Sequence, residues 1–227
     1  MPASANTLLD TVEHETGPNP AWTVLWLHGL GADGHDFAPI VPELVRPDWP
    51  ALRFVFPHAP LRAVTINNGM RMRAWYDIRD FDLANRADLG GVAESVAQVE
   101  ALIARELERG VPPERIVLGG FSQGGAVTLA AGLRRHTPLA GLVVLSSYLP
   151  WVPTAAEVAD PARDQPVFLA HGTHDPVVPF RAGQQSAAVL RELGFDVQWQ
   201  AYPFAHQVSP QELGDLAAWL SARFQRG

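Results

Sequence analysis

The chain has 227 residues, 47% of them hydrophobic and 18% charged, with a net charge of −7 from 17 basic and 24 acidic groups. This composition suits a folded α/β domain spanning 1–227, argues against disorder, and gives no electrostatic reason to hold nucleic acid. Cysteine and lysine are both absent, which excludes thiol nucleophiles, disulfides, Cys-ligated metal sites, Schiff-base or pyridoxal chemistry on lysine, and the P-loop.

Residues 1–10 (MPASANTLLD) lack the basic and apolar regions of a signal peptide. No apolar run approaches the ~18 residues that span a bilayer. A cytoplasmic location without stable membrane insertion is therefore expected. Residues 21–28 (AWTVLWLH) form a compact apolar run that stops at Gly29. Residues 53–56 form a second run, closed by Pro57. Residues 58–87 show no strong periodicity, and the segment reads as a folded loop over a site, with Met70, Met72, Trp75 and Tyr76 in it. After Asp88 a helix is expected, with Val92, Val96, Val99, Ile103 and Leu107 on its inner face. Gly110, Pro112 and Pro113 stop it.

Residues 116–121, 139–145 and 167–170 are further apolar runs, and 197–202 (VQWQAY) alternates like a peripheral strand. Helical patterns cover 123–135, 180–193 and 210–224. Apolar strands separated by helices imply a mostly parallel, doubly wound sheet covered on both faces. Function in such sheets sits at the carboxyl ends of the strands.

Gly120-Phe121-Ser122-Gln123-Gly124 follows one apolar strand and opens a helix rich in small residues. That is the strand–turn–helix context of a nucleophile elbow, where flanking glycines let strand and helix approach. A serine hydroxyl needs a base. Asp175, in His171-Gly172-Thr173-His174-Asp175, follows the fifth run, and His206 follows the sixth. Ser122, Asp175 and His206 thus fall on three loops at one sheet edge, in the chain order nucleophile, acid, histidine. His174 is the competing base, and His171, His174 and Asp175 make a weak metal reading, because the loop sets no ligand spacing. The backbone N–H of Gln123 is the expected first donor to an oxyanion. The second is that of Leu30, in the glycine-rich loop HGLGADG at 28–34. A dinucleotide fingerprint there fits only with a shifted frame and lacks the acidic partner after the second strand. Trp75, Tyr148, Trp151, Val178 and Phe204 are candidate acyl-pocket residues, apolar as an acyl group requires.

LHGLGADG at 27–34, MRAWYDI at 72–78, GGFSQGG at 119–125, HGTHDPVVP at 171–179 and AHQVSPQEL at 205–213 together resemble the bacterial carboxylesterases related to acyl-protein thioesterases and lysophospholipases. The resemblance covers nearly the whole chain. It implies an α/β-hydrolase of minimal size, without a separate cap domain. It also implies hydrolysis of small-molecule esters or thioesters by Ser122, Asp175 and His206, with the Leu30 and Gln123 amides as oxyanion hole and Trp75 near the acyl site. His35 and Ser147 depart from the family pattern, and both are expected to alter the acyl pocket. The main reading is a carboxylesterase for short to medium acyl chains, working without metal or cofactor. The alternatives are an acyl-protein thioesterase or lysophospholipase using the same triad, and a non-catalytic α/β-hydrolase serving as a ligand receptor. An apolar rim around the site would suit a homodimer.

Overall fold

The computed structural model describes residues 8–80 and 87–225. Its strands are β1 (Thr11–Glu15), β2 (Trp22–Leu27), β3 (Leu52–Pro57), β4 (Leu61–Val64), β5 (Met70–Arg73), β6 (Ile116–Phe121), β7 (Gly141–Leu145), β8 (Val167–Gly172) and β9 (Val197–Tyr202). Its α-helices are α1 (Val41–Leu44), α2 (Leu89–Glu108), α3 (Gln123–Gly132), α4 (Phe180–Glu192) and α5 (Pro210–Phe224).

Seven strands form one sheet in the order β1-β3-β2-β6-β7-β8-β9. All neighbours are parallel except β1, which runs antiparallel to β3 at the edge. The six apolar or alternating runs expected to be strands all lie in this sheet. Their side chains feed two cores by alternation along the strand. Leu25 and Leu27 of β2 face a layer with Val99 and Leu102 of α2, Leu129 of α3 and Leu190 of α4. Trp22, Val24 and Trp26 face the other layer, with Val41 and Leu44 of α1 and Leu213, Leu216, Trp219 and Leu220 of α5. Each such side chain contributes roughly 1.5–3 kcal/mol by leaving water.

β1, the β4–β5 hairpin and α2 differ from expectation. β1 is an edge strand, TVEHE, with one face in water. Its sequence is therefore too polar and too short to announce itself. The segment expected to be a loop contains an antiparallel hairpin of β4 and β5, joined through Asn68 and Gly69 at positive φ. β5 is only four residues long (MRMR) with no buried residue, so the short alternation of methionine and arginine does not stand out from the loop around it. The part at 81–86 lies outside the described residues. On α2 the inner stripe is rotated: Ser95, Leu102 and Glu106 are buried with Val92, Val99 and Ile103, while Leu107 is exposed. Glu106 accepts from Thr23 Oγ1 (2.9 Å), Arg53 (3.0 Å) and Arg109 (3.0 Å). These donors let a carboxylate occupy a position where periodicity expects an apolar side chain.

The strand registers set the site. Leu27 pairs with Gly120, Phe121 with Leu145, Leu145 with Ala170, and Gly172 with Tyr202. The loops after β2, β6, β7, β8 and β9 therefore leave the sheet at nearly one level.

Candidate active site

Ser122 stands between β6 and α3 with φ 55° and ψ −119°. This left-handed turn is strained for a residue with a side chain, by on the order of 1–3 kcal/mol. Its neighbours explain how it is held. A Cβ at Gly120 would lie 2.4 Å from the Gly124 carbonyl carbon, and one at Gly124 would lie 2.2 Å from the Leu27 carbonyl oxygen. Only glycine at both positions lets the start of α3 press against β6 and the end of β2, which lifts Ser122 onto the sheet edge.

His206 Nε2 lies 2.9 Å from Ser122 Oγ, and His206 Nδ1 lies 2.6 Å from Asp175 Oδ2. The loops after β6, β8 and β9 thus bring three distant residues into one hydrogen-bonded chain. The His206 ring also rests 4.7 Å from the Phe121 ring, centroid to centroid. Asp175 Oδ1 accepts the N–H groups of Val177 (2.8 Å) and Val178 (2.9 Å). Burial alone would raise its pKa, but hydrogen bonds from His171, His206 and the Val178 N–H hold it well below the usual carboxylate range. Asp175 is therefore ionised at neutral pH and acts as acceptor to the imidazole. His206 then carries its proton on Nδ1 and presents a bare Nε2 to the serine.

His171 is fully buried, and its Nε2 donates to the Val178 carbonyl at 2.9 Å while lying 3.4 Å from Asp175 Oδ2. The sequence weighed it only as a metal ligand. In the fold it braces the loop that presents the acid. His174 is exposed and pairs with the Thr173 hydroxyl, not with Ser122. Among the described residues no group of three or more His, Cys, Asp or Glu gathers as metal ligands would.

The two amides expected as oxyanion donors belong to Leu30, in the loop after β2, and to Gln123, at the start of α3. A Cβ at Gly29 would be 3.5 Å from the Ser122 Cβ, so the loop after β2 passes directly against the nucleophile. Gln123 follows Ser122 in the chain and is buried. Its side-chain Oε1 accepts the Trp75 N–H (2.8 Å) and its Nε2 donates to the Tyr76 carbonyl (2.7 Å). Trp75 Nε1 in turn donates to the His28 carbonyl at 2.9 Å, and Ser95 Oγ donates to the Trp75 carbonyl.

This network changes the reading of several candidates. Trp75 is fully buried, so its ring frames the loop after β2 and does not line a substrate cleft. Val178 is also buried, and it serves through its backbone, between Asp175 and His171. Phe204 is half-buried against the α5 layer. Tyr148 is nearly buried, its hydroxyl 3.1 Å from that of Tyr76. Together with Trp151 it lines a groove of about 330 Å³ between the segment after β7 and α4, bounded also by Leu149, Val152, Ala182 and Val189. His35 is exposed, with its N–H on Asp33 and its ring beside His58. Ser147 was expected at the acyl pocket. It is fully buried instead, and its hydroxyl donates to the Ser122 carbonyl at 2.6 Å.

Comparison with known proteins places the chain as a whole in a family. Residues 10–223 match the model of the phospholipase/carboxylesterase family. The chain belongs to that family. It is 42% identical over 208 residues to acyl-protein thioesterase 1 of the fungus Gibberella zeae, covering 87% of this chain and 88% of that protein. It is 36% identical over 206 residues to carboxylesterase SOBER1 of Arabidopsis thaliana, covering 89% and 90%. The crystal structure of the latter superposes with a TM-score of 0.84 over 89% of this chain and 98% of that one. The architecture is accordingly an α/β-hydrolase fold with no separate cap domain among the described residues. These relatives come from a fungus and a plant, not from bacteria as the expected resemblance had it.

Proposed function

We propose that the chain is a serine hydrolase that cleaves carboxylic esters of short to medium acyl chains through an acyl-enzyme on Ser122. The observation that carries this reading is the pair of hydrogen bonds from one imidazole, 2.9 Å to Ser122 Oγ and 2.6 Å to Asp175 Oδ2. Ser122 Oγ attacks the substrate carbonyl carbon while His206 Nε2 accepts the hydroxyl proton. The carbonyl π electrons move onto oxygen, and the Leu30 and Gln123 N–H groups receive that oxyanion. The tetrahedral intermediate collapses, the C–O bond to the alcohol breaks, and His206 returns its proton to the leaving oxygen. Water then repeats the sequence on the acyl-enzyme, with His206 taking its proton, and releases the carboxylic acid. Asp175 fixes the imidazole tautomer and stabilises the imidazolium without taking the proton. No step calls for a metal or cofactor.

The acyl chain is assigned to the groove of Tyr148 and Trp151, whose mostly apolar lining, with Gln185 and Ser186 among it, suits a hydrocarbon. The test is hydrolysis of p-nitrophenyl esters by wild type and Ser122→Ala. Wild type is expected to turn over and the variant to lose all but a residue of the rate; equal, slow rates in both would end the reading. Labelling by a serine-directed phosphonate separates the enzyme from a ligand receptor. A second reading, acyl-protein thioesterase or lysophospholipase, is favoured by the 42% identity to a thioesterase. It uses the same acyl-enzyme, and a chain-length series on matched oxygen esters and thioesters distinguishes it. We also assign a cytoplasmic location; among the described residues no helix is long and apolar enough to cross a membrane.

A further inference from the structure

Both amides assigned to the oxyanion belong to peptide groups whose carbonyls are gripped by a buried side chain. A trans peptide is planar, and its C=O and N–H point in opposite directions. The Leu30 N–H therefore shares one rigid plane with the Gly29 carbonyl, and the Gln123 N–H shares one with the Ser122 carbonyl. Fixing the oxygen fixes the direction of the hydrogen.

His28 Nδ1 lies 2.7 Å from the Gly29 carbonyl oxygen. The Ala59 N–H donates to its Nε2 at 3.1 Å, so that nitrogen is the acceptor and the ring proton sits on Nδ1. Burial lowers the pKa of this histidine to about 4, against the opposing pull of the Gly29 carbonyl and Asp33, which keeps the ring neutral. Ser147 Oγ donates to the Ser122 carbonyl at 2.6 Å, while the helical bond to the same oxygen from Ala126 is stretched to 3.3 Å. The hydroxyl is thus the stronger hold on that carbonyl. On the far side of each plane, neither the Leu30 nor the Gln123 N–H has a backbone hydrogen bond among the described residues. Each is left for a ligand, at the edge where Gly29 passes the Ser122 Cβ.

We infer that His28 and Ser147 are the positioning residues of the oxyanion hole, each orienting one donor amide through the carbonyl of the same peptide group. This rests on the serine-hydrolase reading above. The need for a grip differs at the two sites. The Gly29–Leu30 peptide follows a glycine, whose ψ is the least restricted of any residue, in a loop that turns at Gly31 (φ 79°). The Ser122–Gln123 peptide is part of the strained turn, and its one helical hydrogen bond, from the Ala126 N–H, is long at 3.3 Å. Donation to each carbonyl also polarises the peptide and strengthens its N–H as a donor. A preformed hole requires no reorganisation when the charge develops.

The experiment uses the full chain as Ser147→Ala, His28→Asn and His28→Leu. Asparagine carries an N–H donor close to the Nδ1 position; leucine carries none. Three quantities are read: kcat and KM for a p-nitrophenyl ester, affinity for a trifluoromethyl ketone, and thermal midpoint. The ketone adds to Ser122 as a tetrahedral oxyanion, so its affinity reports the hole itself. Ser147→Ala is expected to lower kcat about 10- to 100-fold with KM nearly unchanged, and to weaken the ketone by a similar factor. His28→Asn is expected to keep more of both than His28→Leu. Loss of thermal stability with unchanged ketone affinity in the folded protein would show a merely structural role and overturn the inference. So would kcat and ketone affinity within about two-fold of wild type in Ser147→Ala and His28→Leu. If wild type itself shows no Ser122-dependent turnover, the hydrolase reading falls, and the inference falls with it.

Discussion

Gly124→Ala adds one methyl group at the tightest contact near the site. Its Cβ would lie 2.2 Å from the Leu27 carbonyl oxygen, 2.6 Å from the Leu27 carbonyl carbon and 2.7 Å from the His28 carbonyl oxygen. All three are backbone atoms, so no side chain can rotate aside. Ordinary contact begins at 3.4 Å, and the start of α3 must part from the end of β2 by about 1 Å. Alanine favours a helix over glycine by about 1 kcal/mol. Overpacking costs typically 1–3 kcal/mol and more where the backbone must shift, and here it wins. The net loss should lower the thermal midpoint by several degrees, at roughly 2–4 °C per kcal/mol for a chain of this size. The larger effect is on rate. Moving α3 carries Gln123 and its N–H away from Leu30, and a 1 Å misplacement at a reacting centre costs on the order of 100-fold. The assay is ester hydrolysis beside a melting curve, with Gly214→Ala of α5 as the control. A Cβ at Gly214 meets nothing within 4 Å, so that variant should keep its rate and gain roughly 0.5–1 kcal/mol. Wild-type rate and midpoint in Gly124→Ala would refute the claim that this glycine sets the distance between the two donor amides.

Glu212 gives a pH-dependent prediction: burial pushes its carboxyl up to about 7 from 4.5, against the pull of the Ser209 N–H. A raised folded value contributes stability fully below pH 4.5 and loses it as pH rises through 7, a difference of about 3 kcal/mol. Glu212→Gln keeps an acceptor for Ser209 and removes the titration, so urea midpoints of wild type and variant should converge at acid pH and separate above neutrality; parallel curves would contradict this. Gln123→Leu removes the acceptor of the buried Trp75 N–H and one donor to the Tyr76 carbonyl; leaving the Trp75 N–H unpaired costs about 1–3 kcal/mol and should lower the urea midpoint accordingly. An unchanged midpoint there would mean that other groups already satisfy the two atoms.

The sequence by itself determined much of this protein. Continuous apolar runs broken by amphipathic helices can bury both faces of a sheet in only a few ways, so the layers and the loops bearing Ser122, Asp175 and His206 were legible from periodicity and chain order. The glycines of GFSQG announced the elbow because a backbone that must approach another within van der Waals distance tolerates no other residue. Hairpin β4–β5 and strand β1 were not legible, since their faces meet water and carry arginine or glutamate. What only the tertiary structure decided is the direction of polar groups. Trp75 read as a pocket wall and is a buried strut with its indole N–H on His28. Ser147 read as a pocket variant and grips the Ser122 carbonyl. Hydrophobic burial follows a periodic pattern that any window of sequence displays. A hydrogen bond depends on partners such as 75 and 123, or 122 and 147, whose meeting and orientation are fixed only when the sheet has assembled.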